Sequence, residues 1–344
     1  MKKVLSLILA LTLCLGAVVS ITSCKGGGNE VEVDTEKQHY VVGICQLITH
    51  DALDSATQGF KDALTAELAK AGRTVEFDYQ NAAGSSNTCT TIVNTFIAKD
   101  VDLILANATA ALQSAANATL SIPTLGTSIT EYGVALGIDN FDGTVGGNIS
   151  GTSDLAPLET QAQMMIDTLG LTAGARVGIL YCSSEPNSQY QAQVVRSYLT
   201  GKGINCGSSD YTFTDTKDLQ LVTERAANEC DAIYVPTDNT VASNTGIIDG
   251  VCAEKKIPIF AGEEATCKGC GYATLAISYY NIGKKTGEMA ADILLGRKNI
   301  SEMAIAYDES PVKKYNEAAC VNLGIDIESL KSQGYTVIPG TEAD

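Results

Sequence analysis

One phrase is written twice along this 344-residue chain, and it restricts the folds open to it. "DLILANATAALQSA" (Asp102 to Ala115) and "DAIYVPTDNTVASN" (Asp231 to Asn244) each run from Asp through an apolar strand into a short polar tip and a small-residue helical segment. Two further phrases keep the same order around them. "VVGICQ" returns as "RVGILYC", and the Ile-Pro of "SIPTLGT" returns in "KKIPIFAGEE"; the three pairs are offset by 135, 129 and 135 residues. Helical patterns lie between the strands. In "ALDSATQGFKDALTAELAKAG", Leu53, Phe60, Leu64 and Leu68 recur at helical spacing and Gly72 marks the stop. Such alternation predicts parallel sheets with helices on both faces. Its doubling predicts an α/β chain of two Rossmann-like lobes. In open parallel sheets ligands bind beyond the carboxyl ends of the strands, so the twin tips are expected to line one cleft.

The first 24 residues stand outside that pattern. "MKK" is followed by an apolar stretch too short, and wrongly flanked, for a settled membrane span. Ile21-Thr22-Ser23-Cys24 has the branched/small/small/Cys order of a bacterial lipoprotein signal. Residues 1–24 therefore read as a lipoprotein signal peptide with lipidation at Cys24, and residues 25–38 as a flexible polar tether. An extracytoplasmic protein anchored at a membrane is expected. The remainder suits two domains, divided here as 39–141 plus 277–300 and 142–276 plus 301–344. Without the two leader lysines, 21 basic side chains face 40 acidic ones, a net charge of −19. That balance opposes nucleic-acid binding. Eleven cysteines occur; setting aside Cys14 and Cys24 leaves nine, an odd number. The C-x-x-C at Cys267 and Cys270 lies in what reads as a Gly-rich loop. No second ligand pair supports zinc, which leaves a local disulfide or reduced thiols.

"THDALDSATQGF", "ANATAALQSA", "SGTSDLAP", "SSEPNSQ", "VPTDNTVASN", "AGEEA" and "ATLAISYYNIGKKTGEMAADIL" run in order through nearly the whole chain. In these phrases it resembles the solute-binding lipoproteins of ABC importers with the type I periplasmic-binding-protein fold. Within them it is similar to the branch associated with tryptophan and other aromatic amino acids. The resemblance implies two lobes joined by hinge crossings and a monomer that captures a small amino acid-like ligand by closure. It also implies partners: a membrane permease and its ATPase. Two positions depart from the branch. Asp51 stands where it usually has Pro, and Cys267 and Cys270 stand where it often has Gly.

The strand ends supply the candidate ligand contacts. Thr49 and His50 leave the first strand, His50 either donating to a ligand or acting as a structural partner. Asn107, Ala108, Thr109 and Thr127 form one set of tips; backbone N–H groups at the helix start after Asn107 would hold a carboxylate. All five arginines fall away from the tips, which disfavours a guanidinium clamp. Ser153 and Asp154, placed just after the expected crossover, and Ser184, Glu185 and Asn187 form the opposing wall, with helix capping as the rival role for the last three. Asp238 either receives a ligand ammonium or N-caps its helix. Glu263 and Glu264 either reach a ligand amine or stay solvated. With no Trp and fourteen Tyr, the chain offers Tyr280 or Tyr132 to an apolar pocket, which favours an amino acid over a sugar.

Catalytic motifs are absent from this sequence. "GKKTG" has neither the spacing nor the preceding strand of a phosphate loop, no G-x-S-x-G elbow occurs, and the chain has two histidines. A binding protein that uses no cofactor or metal is expected, with a sugar or other small solute as the alternative ligand and a receptor-coupled sensor as the alternative role.

Overall fold

The computed structural model describes residues 31, 33–207, 211–308 and 310–343. The leader, Cys24 and the first part of the tether lie outside the described residues. Strands β1 (His39–Gln46), β2 (Thr74–Asn81), β3 (Leu103–Asn107), β4 (Thr124–Ile129) and β5 (Ile149–Ser153) alternate with helices α1 (Asp51–Lys70), α2 (Ser86–Ala98), α3 (Thr109–Ala118) and α4 (Tyr132–Leu136). The pattern then restarts. Strands β6 (Val177–Cys182), β7 (Tyr211–Phe213), β8 (Ala232–Val235), β9 (Ile259–Ala261) and β10 (Ala273–Ala276) alternate with α5 (Leu158–Leu169), α6 (Pro186–Gly201), α7 (Leu219–Glu229), α8 (Asn239–Ala242), α9 (Thr245–Lys255) and α10 (Glu264–Cys270). Helix α11 (Tyr279–Leu294), strands β11 (Ala306–Tyr307) and β12 (Val312–Tyr315), helices α12 (Glu317–Leu323) and α13 (Ile327–Ser332), and strand β13 (Thr336–Val337) complete the chain.

The sequence repeat becomes a repeat of topology. One sheet has the order β2-β1-β3-β4-β5-β11 and the other β7-β6-β8-β9-β10-β12-β13. The first is parallel throughout, and in the second only β10 and β12 run antiparallel. Both faces of each sheet are covered. Tyr40, Val42 and Ile44 of β1 pack with α1 and α11 residues on one face, while Cys45 joins Phe96 and Leu112 on the other. This two-sided burial is why the strands read as apolar runs rather than as alternating ones.

Helix α11 returns from the second lobe to lie on α1, and small residues allow the close approach. A Cβ on Gly59 would stand 2.1 Å from the Tyr280 carbonyl, and one on Gly283 2.0 Å from that of Ala56.

Three features differ from the sequence reading. Strand β5 pairs with β4, so the crossover follows Ser153 rather than residue 141; its glycines disguised it, Gly151 adopting φ +145° against the Gly126 backbone. Strand β11 likewise joins the first sheet, so the third crossing lies between Tyr307 and Val312 rather than near 300. The latter part of the expected tether is docked: Val31 and Val33 pack on the first lobe, and Lys37 pairs with Asp102. Among the described residues no helix is long and apolar enough to cross a membrane.

Candidate functional site

The carboxyl ends of both sheets face each other, and the walls meet around an enclosed cavity of about 10 Å3, the space of roughly one water molecule. His50 and Leu53 at the start of α1, Ser128 and Thr130 at the end of β4, Asp154 after β5 and Tyr279 at the start of α11 form the first-lobe wall. Asn187, Thr237, Asp238, Asn239, Ala242 and Glu263 form the other. The lobes touch directly. His50 Nε2 lies 3.3 Å from Asn239 Oδ1, and the Asn239 amide nitrogen is fixed on Glu185 Oε2 at 2.8 Å, so the imidazole Nε2–H is the donor. At the rim Lys268 faces Asp51 at 3.8 Å.

The carboxylates of the second lobe are bound to its own backbone. Asp238 is 1 % exposed. Its Oδ1 accepts the Val241 N–H at 2.8 Å, and its Oδ2 accepts the Cys182 N–H at 2.7 Å and the Ser188 hydroxyl at 2.8 Å. Glu185 accepts the Asn239 and Thr240 N–H groups at 3.0 and 2.9 Å, and Glu263 accepts those of Ala265 and Thr266. Short helices α8 and α10 therefore begin on buried acids, a favourable place for negative charge. Burial, and next the charge of Glu185, push the Asp238 carboxyl well above the usual carboxylate range.

Asp154 is the acid of the first-lobe wall. Thr130 Oγ1 donates to Oδ1 and Tyr279 OH to Oδ2, both at 2.8 Å. Burial raises its pKa, an effect that these two hydrogen bonds oppose and the charge of Glu263 adds to. Among the described residues no Lys or Arg lines the cavity. Two buried polar atoms there have no partner, His50 Nδ1 and Ser128 Oγ.

Ser128 owes its place to irregular backbone. The β4–β5 register shifts between Gly126 and Ile129, and Ser128 takes a left-handed φ of +57°. Bulges and strained φ values of this kind recur beside functional sites. Sequence reasoning passed over Ser128, and no pattern in "TLGTSI" marks the bulge.

Several candidates from the sequence stand away from the cavity. Asn107 Nδ2 donates to the Leu53 carbonyl and Thr57 Oγ1, tying β3 to α1, while Thr127 pairs with Thr152 inside the lobe. Ala108 and Thr109 are buried at the start of α3. The helix start at the cavity is that of α1, whose N-cap His50 makes no side-chain cap bond. Ser153 Oγ holds the turn after β5 through the Thr130 carbonyl. Thr49 and Ser184 are exposed and are not among the residues that line the cavity. Tyr280 is 42 % exposed and donates to Asp62 on α1, whereas Tyr279 is 6 % exposed and lines the cavity. Tyr132 is a core residue bonded to the Thr152 carbonyl. Cys267 and Cys270 lie in helix α10, not in a loop, and both are buried free thiols.

Comparison with known proteins places this architecture. The family model for ABC transporter substrate-binding proteins matches residues 41–332. The chain belongs to this family. A tyrosine-binding protein from Clostridioides difficile (strain R20291) is 32 % identical over 314 residues, covering 90 % of this chain and 89 % of that one. An ABC domain from Streptococcus pneumoniae, solved in complex with L-Trp, is 27 % identical, with a TM-score of 0.78 over 86 % of this chain and 100 % of the other. The ligand-free, open structure of a substrate-binding protein with adhesive properties from Clostridium difficile is 30 % identical. It covers 87 % of this chain and 99 % of its own, with a TM-score of 0.65. The substrate-binding protein described here thus superposes better on the L-Trp complex than on the open form, in keeping with its touching walls. Members of this family work in transport outside the cytoplasm.

Proposed function

We propose that this substrate-binding protein captures an aromatic amino acid as its zwitterion and delivers it to an ABC permease driven by a cytoplasmic ATPase. The observation that carries the reading is the polarity of the cleft: acids without a cation on its walls, beside two unpartnered buried polar atoms. Asp154 and the unpartnered His50 Nδ1 stand where a ligand ammonium would be received. The Ser128 hydroxyl and the uncapped start of the 20-residue helix α1 suit its carboxylate. The relatives' ligands, tyrosine and L-Trp, support the aromatic side chain. A ligand that touches both walls favours the closed form by its differential affinity for it.

The same reading includes a monomer held at the outer face of a membrane by a lipid on Cys24, after removal of a signal peptide. It assigns no reaction to the cleft, whose second-lobe acids serve as helix caps. The test is a thermal-shift panel of the twenty amino acids and several sugars on the wild type and on Ser128→Ala. Tight ligands raise the midpoint by mass action. The aromatic amino acids are expected to give the largest rise, reduced in the variant. A rise with sugars alone would overturn the reading.

A further inference from the structure

A second compartment, of about 300 Å3, adjoins the enclosed cavity and opens between the lobes. Tyr279 and Glu263 belong to the walls of both. The outer compartment has apolar surface from Ala52, Ile277, Ile338 and Pro339, with Asp51 and Lys268 paired across it. The inner cavity alone is too small for any amino acid, whereas ligand pockets usually begin near 300 Å3. Tyr279 stands between the two. Its phenol donates to Asp154 of its own lobe and faces Thr237 of the other across the inner cavity. A buried O–H donor on the first-lobe acid, set against the second lobe, makes a contact that a ligand ammonium would make.

We propose that Tyr279 is a built-in stand-in for the ligand: its phenol occupies Asp154 and braces the closed cleft against Thr237 of the second lobe, and it swings aside to join the inner cavity to the outer compartment when an ammonium-bearing ligand takes its place. The inner cavity then holds the zwitterionic end and the outer compartment the side chain, an assignment that rests on the amino-acid reading above. Because the phenol and the ligand compete for one acid, the tyrosine lowers the apparent affinity by the fraction of molecules in which it occupies that acid.

The test compares Tyr279→Phe, which keeps the ring and its packing but removes the donor, with the wild type in two measurements. Calorimetric titration with L-tryptophan is expected to give tighter binding for the variant. The gain is on the order of tenfold, the worth of one hydrogen bond to a charged group. Equal or weaker binding by the variant would overturn the proposal, since Tyr279 would then be a wall the ligand needs. Small-angle scattering of the two ligand-free proteins decides the gate even if L-tryptophan binds neither, a result that would count against the aromatic ligand alone. A larger radius of gyration for Tyr279→Phe supports the stand-in role, and an unchanged radius refutes it.

Discussion

Replacing Asp238 with alanine separates a structural acid from a ligand-binding one. The carboxylate caps α8 through the Val241 N–H and satisfies the buried Cys182 N–H and Ser188 hydroxyl. Loss of an N-cap costs about 1 kcal/mol. The Cys182 amide, left without a partner inside the lobe, adds about 1–3 kcal/mol. Ser188 is cheaper, because its hydroxyl also reaches the Thr237 carbonyl at 3.2 Å. Relief of a buried charge repelled by Glu185 works in the opposite direction. The net expectation is a loss of about 2–3 kcal/mol, or roughly 3–5 °C in melting temperature for a chain of this size. Far-UV circular dichroism during thermal unfolding of the ligand-free protein measures it. A fall under about 2 °C would refute the capping account and return Asp238 to the ligand.

Two further perturbations follow from the same geometry. Asp154 and Asp238 have carboxyl pKa values raised by burial, so the folded chain holds their protons more tightly than the unfolded one, and their contribution to stability is lost as pH rises through the folded values. Acidification through those folded values should therefore raise the melting temperature of the ligand-free protein and, as Asp154 is neutralised, weaken an ammonium-bearing ligand; parallel scans and titrations against pH check both signs. Gly283→Ala places a methyl group 2.0 Å from the Ala56 carbonyl and should cost about 1–3 kcal/mol by forcing α11 off α1, whereas Gly246→Ala, which meets nothing within 4 Å, should be neutral or stabilising by up to about 1 kcal/mol; chemical denaturation of the pair measures the contrast.

The fold was legible because its signals are local. Most strands announce themselves as apolar runs, β5 being disguised by its glycine, and the order of runs repeats, so both sheets share the order 2-1-3-4-5 in their own numbering. The cleft followed from topology alone. Individual contacts did not, because each depends on a geometry that spacing does not encode. Tyr279 and Tyr280 differ by one step on α11, which turns the side chain by about 100°, and the Ser278 N-cap that fixes the phase lies one residue before the first and two before the second. Glu185 caps a helix 54 residues away in sequence, a pairing that only the packed lobe creates. Asn107 sits at a strand end like a binding residue, yet points back to Leu53 and Thr57 of α1. Cys267 and Cys270 flank Lys268 and Gly269 and read as loop, but Glu263 starts a helix that carries them into the interior.

The central claim is that an acid-lined cleft between two matched lobes recognises the ammonium group of an aromatic amino acid. The chain contains no tryptophan, so the emission of a tryptophan ligand is read without background. Titrating the protein with L-tryptophan and with N-acetyl-L-tryptophan, which keeps the ring and carboxylate but lacks the positive charge, puts the claim to its most direct test. Saturable spectral change with the free amino acid and none with the acetylated one is the result expected. Equal binding of the two would contradict it.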